Sequence, residues 1–162
     1  NSVRSQGSTN DKFKFNKMGY NYRMTNIQAA LLYGQLQEIS HITYLKERVT
    51  ELYKKKLKSI DCIEFQEIEP GTKHSNWMVG VRFHGFDENK INDLALHLYQ
   101  NDIETRPMFP IITDHDHYSD IEGKFSQSQL LYNSALILPS FPELSDKEIS
   151  YICNCIKKYL ED

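Results

Sequence analysis

The longest regular pattern in the chain is an apolar repeat between residues 25 and 58. Apolar side chains recur there at intervals of three and four, which places them on one face of a helix. They are Leu32, Leu36, Ile39, Ile42, Leu45, Val49 and Leu52. Thr25 and Gln28 fit a capping box, in which the threonine caps the first turn and the glutamine reaches back to the cap amide. The pattern therefore predicts one long helix over 25–58, bent near Ser40, that bridges domains or forms an interface.

The remaining two thirds of the chain alternate between short apolar runs and amphipathic stretches. The runs predict strands at Cys62–Phe65, Trp77–Phe83 and Ile103–Arg106. The amphipathic stretches predict a helix after an Asp87 cap and helices at Gln127–Ala135 and Ser145–Leu160. Residues 136–144, LILPSFPEL, are predicted to be extended with a proline turn. Together these elements predict an α+β domain, with helices packed on a short sheet.

Composition narrows the class of protein. The 162 residues are 40% hydrophobic, 25% charged and 12% aromatic, as in a globular domain that buries a core. A net charge of −3 gives no basic surface for nucleic acid, and no apolar run approaches the roughly 20 residues that span a membrane. Three cysteines without framework spacing indicate a reduced, cytoplasmic protein. The long polar start over 1–18 indicates either that the chain comes from a truncated parent or that a partner orders this segment.

Few residues point to chemistry by themselves. His115 and His117 stand two apart in an Asp-His-Asp-His stretch, where they could share a metal ion or simply be exposed loop histidines. Without a third ligand at a recognisable spacing, we predict no metal site. Cys153 and Cys155 lie two apart on a predicted helix and are expected to fill the core. No phosphate loop, GxSxG or HExxH motif is present, and no nucleophile stands beside an obvious base.

Two local features suggest binding. Arg106, fixed by Pro107 at the end of a predicted strand, is placed to pair with a phosphate or carboxylate, unless it is an ordinary surface arginine. Asn21 lies in a turn just before a helix, where backbone amides favour an anionic group. The alternative for Asn21 is a simple helix entrance.

Four ordered segments carry a family resemblance. Residues 19–39, GYNYRMTNIQAALLYGQLQEI, resemble the hallmark of the DegT/DnrJ/EryC1/StrS family of pyridoxal-phosphate-dependent nucleotide-sugar aminotransferases. The segments SNWMV at 75–79, IETRPMF at 103–109 and LPSFP at 138–142 follow in the family's order. Within the family, the similarity is to 4-aminotransferases of the GDP-perosamine synthase type, and it extends from Val3 to Leu160.

The resemblance implies the C-terminal small domain of a fold-type-I aminotransferase. Residues 1–24 would be a loop that contributes to the partner subunit's active site, 25–58 a long interdomain helix, and 59–162 the small α+β domain. The family's Schiff-base lysine would lie upstream, so no catalytic residue is expected in this chain, which alone should be inactive. The parent enzyme would transfer an amino group from glutamate to the 4-keto carbon of a nucleotide-linked 4-keto-6-deoxyhexose, working as a homodimer. The alternative is a non-catalytic remnant that acts as a binding or dimerisation module.

The resemblance also assigns roles to single residues. Asn21 matches the asparagine that reaches across the homodimer to the phosphate of pyridoxal phosphate. Arg106 and Phe109 match the segment that faces the nucleotide-sugar pocket, and Tyr20 and Trp77 are further candidates for substrate binding. For Trp77 the main role expected is packing. Phe109 is followed by Pro-Ile-Ile-Thr where relatives have a tyrosine and a later polar residue. The resemblance therefore does not predict whether this loop contacts the sugar.

Overall fold

A computed structural model describes residues 18–118 and 123–161. The polar segment at 1–17 lies outside the described residues. The elements in chain order are helices α1 (Asn26–Gln37) and α2 (Ile39–Leu57), strands β1 (Ile63–Phe65) and β2 (Val79–Phe83), helix α3 (Glu88–Gln100), strand β3 (Arg106–Pro107), helix α4 (Ser126–Ser134), strand β4 (Ala135–Leu138) and helix α5 (Asp146–Glu161). Two single 3₁₀ turns, Ile112–Asp114 and Asp116–Tyr118, precede α4.

The region predicted as one long helix contains two. The Thr25 capping box is present: the threonine hydroxyl accepts from the Gln28 backbone N–H, and the Gln28 side chain accepts from the Thr25 N–H at 2.9 Å. α1 ends at Gln37, and the Glu38 N–H closes the last turn with a 3₁₀-type bond to the Gln35 carbonyl at 3.2 Å. α2 starts at Ile39, so the interruption lies near the bend predicted at Ser40.

The four strands form one antiparallel sheet in the order β1-β2-β4-β3. β4 lies between β2 and β3, and all four of its residues are buried. The sequence predicted this segment as extended but gave it no place in the sheet, since a fully buried run lacks the alternation that marks a strand.

The bounds predicted for the third strand were wrong. Ile103–Arg106 was predicted, whereas β3 is Arg106–Pro107. Because β3 is the edge strand beside β4, Pro107 is tolerated there despite its missing N–H.

The core joins the sheet to α2, α3 and α5. It is a single cluster of buried apolar side chains from β2 and β4 and from one face of each helix. Its largest fully buried members are Tyr53, Phe83, Leu57, Leu94, Leu98, Leu136, Leu138, Ile149 and Ile156. Cys153 and Cys155 belong to this cluster, which confirms that they fill the core. Burial raises the pKa of Cys153 to about 11, so this thiol is inert at neutral pH.

Both predicted helix caps in this region are present. Asp87 accepts from the Lys90 N–H at 2.9 Å, and α3 follows directly. Ser145 and Glu148 form a reciprocal cap at the start of α5, where the carboxylate accepts from the Ser145 N–H at 2.8 Å. These bonds from Ser145 lower the pKa of Glu148, so the carboxylate is ionised at neutral pH.

The chain forms two compact units, one up to Ser40 and the other from His41 onward. The second unit holds the sheet, the core and helices α3 to α5, and it is the α+β layer that the sequence predicts. In the described part of the chain, no helix combines the length and the apolar character needed to cross a membrane.

Candidate functional site

The second unit contains a cavity of about 770 Å³ beside the β3 edge of the sheet. This volume is in the range of small-molecule sites, about 300–1,000 Å³. Four segments form its walls: the residues before β2, the connection from α3 to β3, the end of β4 with the turn after it, and the first turns of α5. The lining residues are Trp77, Met78, Asn101, Asp102, Ile103, Glu104, Arg106, Ile137, Leu138, Pro139, Ser140, Phe141, Leu144, Glu148, Tyr151 and Ile152.

An aromatic surface forms one wall. The Trp77 side chain is 67% exposed and stacks on Phe109, with ring centroids 6.4 Å apart and planes 27° from parallel. Phe141, on the turn after β4, is half exposed on the same cavity. Trp77 lines the cavity, and the packing role expected for it stays a prediction. Exposed aromatic faces of this kind can stack on a planar ligand group.

Charged side chains of both signs line the cavity. Arg106 supplies an exposed guanidinium from β3, and Asp102, Glu104 and Glu148 supply carboxylates from the α3–β3 connection and from α5. A guanidinium binds phosphate or carboxylate through two parallel hydrogen bonds. Carboxylates accept hydrogen bonds from hydroxyl groups and repel anions. An anionic ligand group therefore fits beside Arg106, and a hydroxyl-bearing group fits beside a carboxylate.

Tyr151 lines the cavity from α5. Its hydroxyl donates to the Asn101 carbonyl at 3.2 Å and so joins α5 to the end of α3. A side-chain hydrogen bond with Cys155 is the main cause that raises the pKa of Tyr151, and the charge of Asp102 adds to it. The phenol is consequently neutral at physiological pH and serves as a hydrogen-bond donor.

Two of the predicted site residues, Trp77 and Arg106, line this cavity, and a third, Phe109, stacks on Trp77. Asn21 and Tyr20 lie in the unit that ends at Ser40, in the exposed segment before α1. Tyr20 stacks on Tyr22 there, with centroids 5.0 Å apart and planes 10° from parallel. Asn21 is exposed and carries a neutral amide that can donate to a phosphate, so its chemistry fits the cofactor contact that the resemblance implies.

His115 and His117 lie close together. Their rings are 5.8 Å apart, with His117 in the second 3₁₀ turn and His115 between the two turns. Among residues 18–118 and 123–161, no group of three or more His, Cys, Asp and Glu side chains is arranged to hold a metal ion.

Sequence reasoning missed several lining residues. Ser140 and Phe141 lie within the LPSFP segment, which was recognised as a family motif but assigned no binding role. Tyr151 gave no signal, since a tyrosine on an amphipathic helix is ordinary. Its position on the cavity depends on how α5 packs against α3.

Comparison with known proteins supports the family. Residues 1–157 match the DegT/DnrJ/EryC1/StrS aminotransferase family. The chain is 33% identical over 145 residues to GDP-perosamine synthase of Escherichia coli O157:H7, with 90% of this chain and 39% of that protein covered. It is 34% identical over 144 residues to GDP-perosamine synthase of Vibrio cholerae, with 88% and 39% covered. The chain therefore spans about two fifths of the length of these relatives.

Solved structures show the same fold. The aminotransferase TlmJ from Streptoalloteichus hindustanus superposes with a TM-score of 0.86 at 18% identity, covering 99% of this chain and 43% of that one. The PLP-form of the putative sugar aminotransferase Spr1654 from Streptococcus pneumoniae gives a TM-score of 0.85 at 18% identity, with 99% and 42% covered. These matches confirm the predicted small domain of a pyridoxal-phosphate-dependent aminotransferase, and pyridoxal phosphate is the cofactor of the full-length enzymes. The chain belongs to the DegT/DnrJ/EryC1/StrS aminotransferase family.

Proposed function

We propose that this chain is the C-terminal part of a nucleotide-sugar aminotransferase and supplies its nucleotide-sugar pocket. The enzyme transfers an amino group from glutamate to the 4-keto carbon of a nucleotide-linked 4-keto-6-deoxyhexose. The lysine that carries the cofactor belongs to a domain outside these 162 residues, so this chain by itself is inactive. The relatives at 33% and 34% identity, both GDP-perosamine synthases, support this choice of substrate.

The observation that carries the proposal is the cavity beside Arg106. A nucleotide sugar combines a planar base, a diphosphate and a sugar with hydroxyl groups, and the cavity offers a complementary surface for each. Trp77, stacked on Phe109, presents an aromatic face, Arg106 presents the guanidinium, and the carboxylates accept hydrogen bonds from hydroxyl groups.

Asn21 is the proposed cofactor contact of this chain. When bound, pyridoxal phosphate supplies an electron sink for proton transfer at the amino-bearing carbon. The Asn21 amide would donate to the cofactor phosphate of the partner subunit, in a homodimer with shared active sites. Tyr20 lies beside Asn21 in the same exposed segment and is a further candidate for substrate binding. Three free cysteines, Cys62, Cys153 and Cys155, support a reducing, cytoplasmic setting.

The pocket is tested by binding of a GDP-sugar to the protein that carries this sequence. In isothermal titration calorimetry we expect Arg106→Met to weaken binding by roughly tenfold, since a hydrogen-bonded charge contact is lost. Arg82→Met is the matched control, because Arg82 pairs with Glu64 of the neighbouring strand at 3.0 Å and does not line the cavity. Equal affinities of the wild type and Arg106→Met would refute the assignment of Arg106.

The cofactor contact is tested separately. Asn21→Ala should lower the amount of pyridoxal phosphate that the protein retains after gel filtration, measured by absorbance of the released cofactor. Asn26→Ala, five residues further on at the start of α1, is the control. Retention that matches the wild type in Asn21→Ala would exclude the cross-subunit role.

A further inference from the structure

Lys46 lies on α2 and extends its ammonium to the end of the sheet. Nζ donates to the Trp77 carbonyl at 2.8 Å, to the Ser140 carbonyl and to the Ser140 hydroxyl at 3.3 Å. An ammonium has three donors, and these three oxygens can accept all of them. Burial lowers the pKa of Lys46, because the ammonium loses part of its hydration, and the three oxygens take the place of that water.

The two residues that Lys46 binds lie opposite each other in the sheet. β2 and β4 pair antiparallel, with Val79 opposite Leu138. The same register, continued by two residues, places Trp77 opposite Ser140, where neither residue belongs to a strand any longer. Lys46 therefore joins the two backbones at the point where the hydrogen bonds of the ladder have ended.

Both of these residues line the cavity, and Lys46 is not among the described residues that do. We propose that Lys46 is a positioning residue, which sets the Trp77 ring against the 139–141 turn and so fixes the width of the substrate cavity. The effect on substrate rests on the proposed function, whereas the effect on Trp77 does not.

Neighbouring residues of α2 make Lys46 a rigid point of attachment. Tyr53 lies two turns further along the helix, on the same face, and its hydroxyl donates to the Pro139 carbonyl at 2.9 Å. Thr50 lies between them, is buried, and donates to the Lys46 carbonyl at 3.1 Å. α2 thus holds two consecutive carbonyls of the turn after β4, and Lys46 extends the connection to the segment before β2.

The test follows Trp77 directly. The protein that carries this sequence is labelled with 5-fluorotryptophan, and the Trp77 resonance is assigned by its loss in Trp77→Phe. We expect Lys46→Met to move this ¹⁹F resonance and to raise KM for the nucleotide sugar roughly tenfold while kcat changes less than twofold. Lys54→Met is the matched control, because Lys54 lies on the same helix and pairs with Glu51. It should leave both quantities unchanged.

Each outcome decides between positioning and a purely structural role. A folded Lys46→Met protein with an unmoved resonance and an unchanged KM would overturn the proposal, even if its unfolding temperature fell. Lys46→Arg keeps a cation with several donors and should fall between the wild type and Lys46→Met in both readouts. If Lys46→Met does not fold, Lys46→Arg and Lys46→Gln are compared with the wild type by the same two readouts, the ¹⁹F resonance and KM. A wild-type protein that does not aminate nucleotide sugars would refute the proposed function and leave the resonance test intact.

Discussion

The Tyr53 hydroxyl offers a quantitative test of how α2 is attached to the sheet. The Tyr53 side chain is fully buried, and its hydroxyl donates to the Pro139 carbonyl at 2.9 Å. Tyr53→Phe keeps the ring but leaves this carbonyl without its donor, which costs about 1–2 kcal/mol of unfolding free energy at pH 7. Because the phenol is buried, the difference in unfolding free energy between the wild type and Tyr53→Phe also depends on pH.

Burial raises the pKa of Tyr53 well above its usual range, and the charge of Cys153 adds to the shift. The unfolded chain therefore ionises first, near pH 10. Below pH 10 the unionised Tyr53 phenol contributes its full stabilisation to the wild type. As the pH rises this stabilisation is lost, by about 1.4 kcal/mol at pH 11. Tyr53→Phe has no group to ionise, so the difference in stability between the two proteins should narrow by that amount.

Urea unfolding of both proteins at pH 7 and pH 11, followed by circular dichroism, measures this difference. Tyr44→Phe is the control, because Tyr44 lies on the same helix with a side chain that is 63% exposed. It should change stability by less than about 0.5 kcal/mol at either pH. Equal stabilities of wild type and Tyr53→Phe at pH 7, or a difference that does not change at pH 11, would refute this reasoning.

Three further predictions concern the core and the approach to the cavity. Leu136→Ala should lower the unfolding free energy by about 2–5 kcal/mol in urea titrations, because Leu136 is 1% exposed in the central strand β4. A loss below about 1 kcal/mol would contradict its place in the core. Asn76 has a φ of 50°, so Asn76→Val should be less stable than Asn76→Gly by at least about 1 kcal/mol in the same titrations. Cys153 should stay unmodified by iodoacetamide at pH 8, since about one thousandth of its thiol is ionised at that pH, while partly exposed Cys62 is alkylated. Peptide mass spectrometry measures both, and equal modification would contradict the burial of Cys153.

Local signals made part of the fold predictable. Thr25, Asp87 and Ser145 each start a helix through a side chain that caps a nearby backbone amide, and such a bond needs only residues close in the sequence. β4 was different, because its apolar run is compatible with any buried element. Its central position depends on pairing with β2, more than 50 residues earlier.

The candidate site was also predictable only in part. Arg106 and Asn21 stood out because of a following proline and a helix entrance, and the family resemblance gave them roles. The exposure of Trp77 and the bonds of Lys46 could not be predicted, because both depend on the register between β2 and β4. A lysine in a solvated helical pattern looks the same whether its ammonium reaches water or two backbone carbonyls.

The most direct test of the central claim is transfer of nitrogen. The protein that carries this sequence, loaded with pyridoxal phosphate, is supplied with ¹⁵N-glutamate and a GDP-linked 4-keto-6-deoxyhexose, and the product is examined by NMR and mass spectrometry. We predict ¹⁵N on carbon 4 of the nucleotide-linked sugar, with a KM that rises in Arg106→Met. A cofactor-loaded protein that leaves the nucleotide sugar without ¹⁵N would contradict the account.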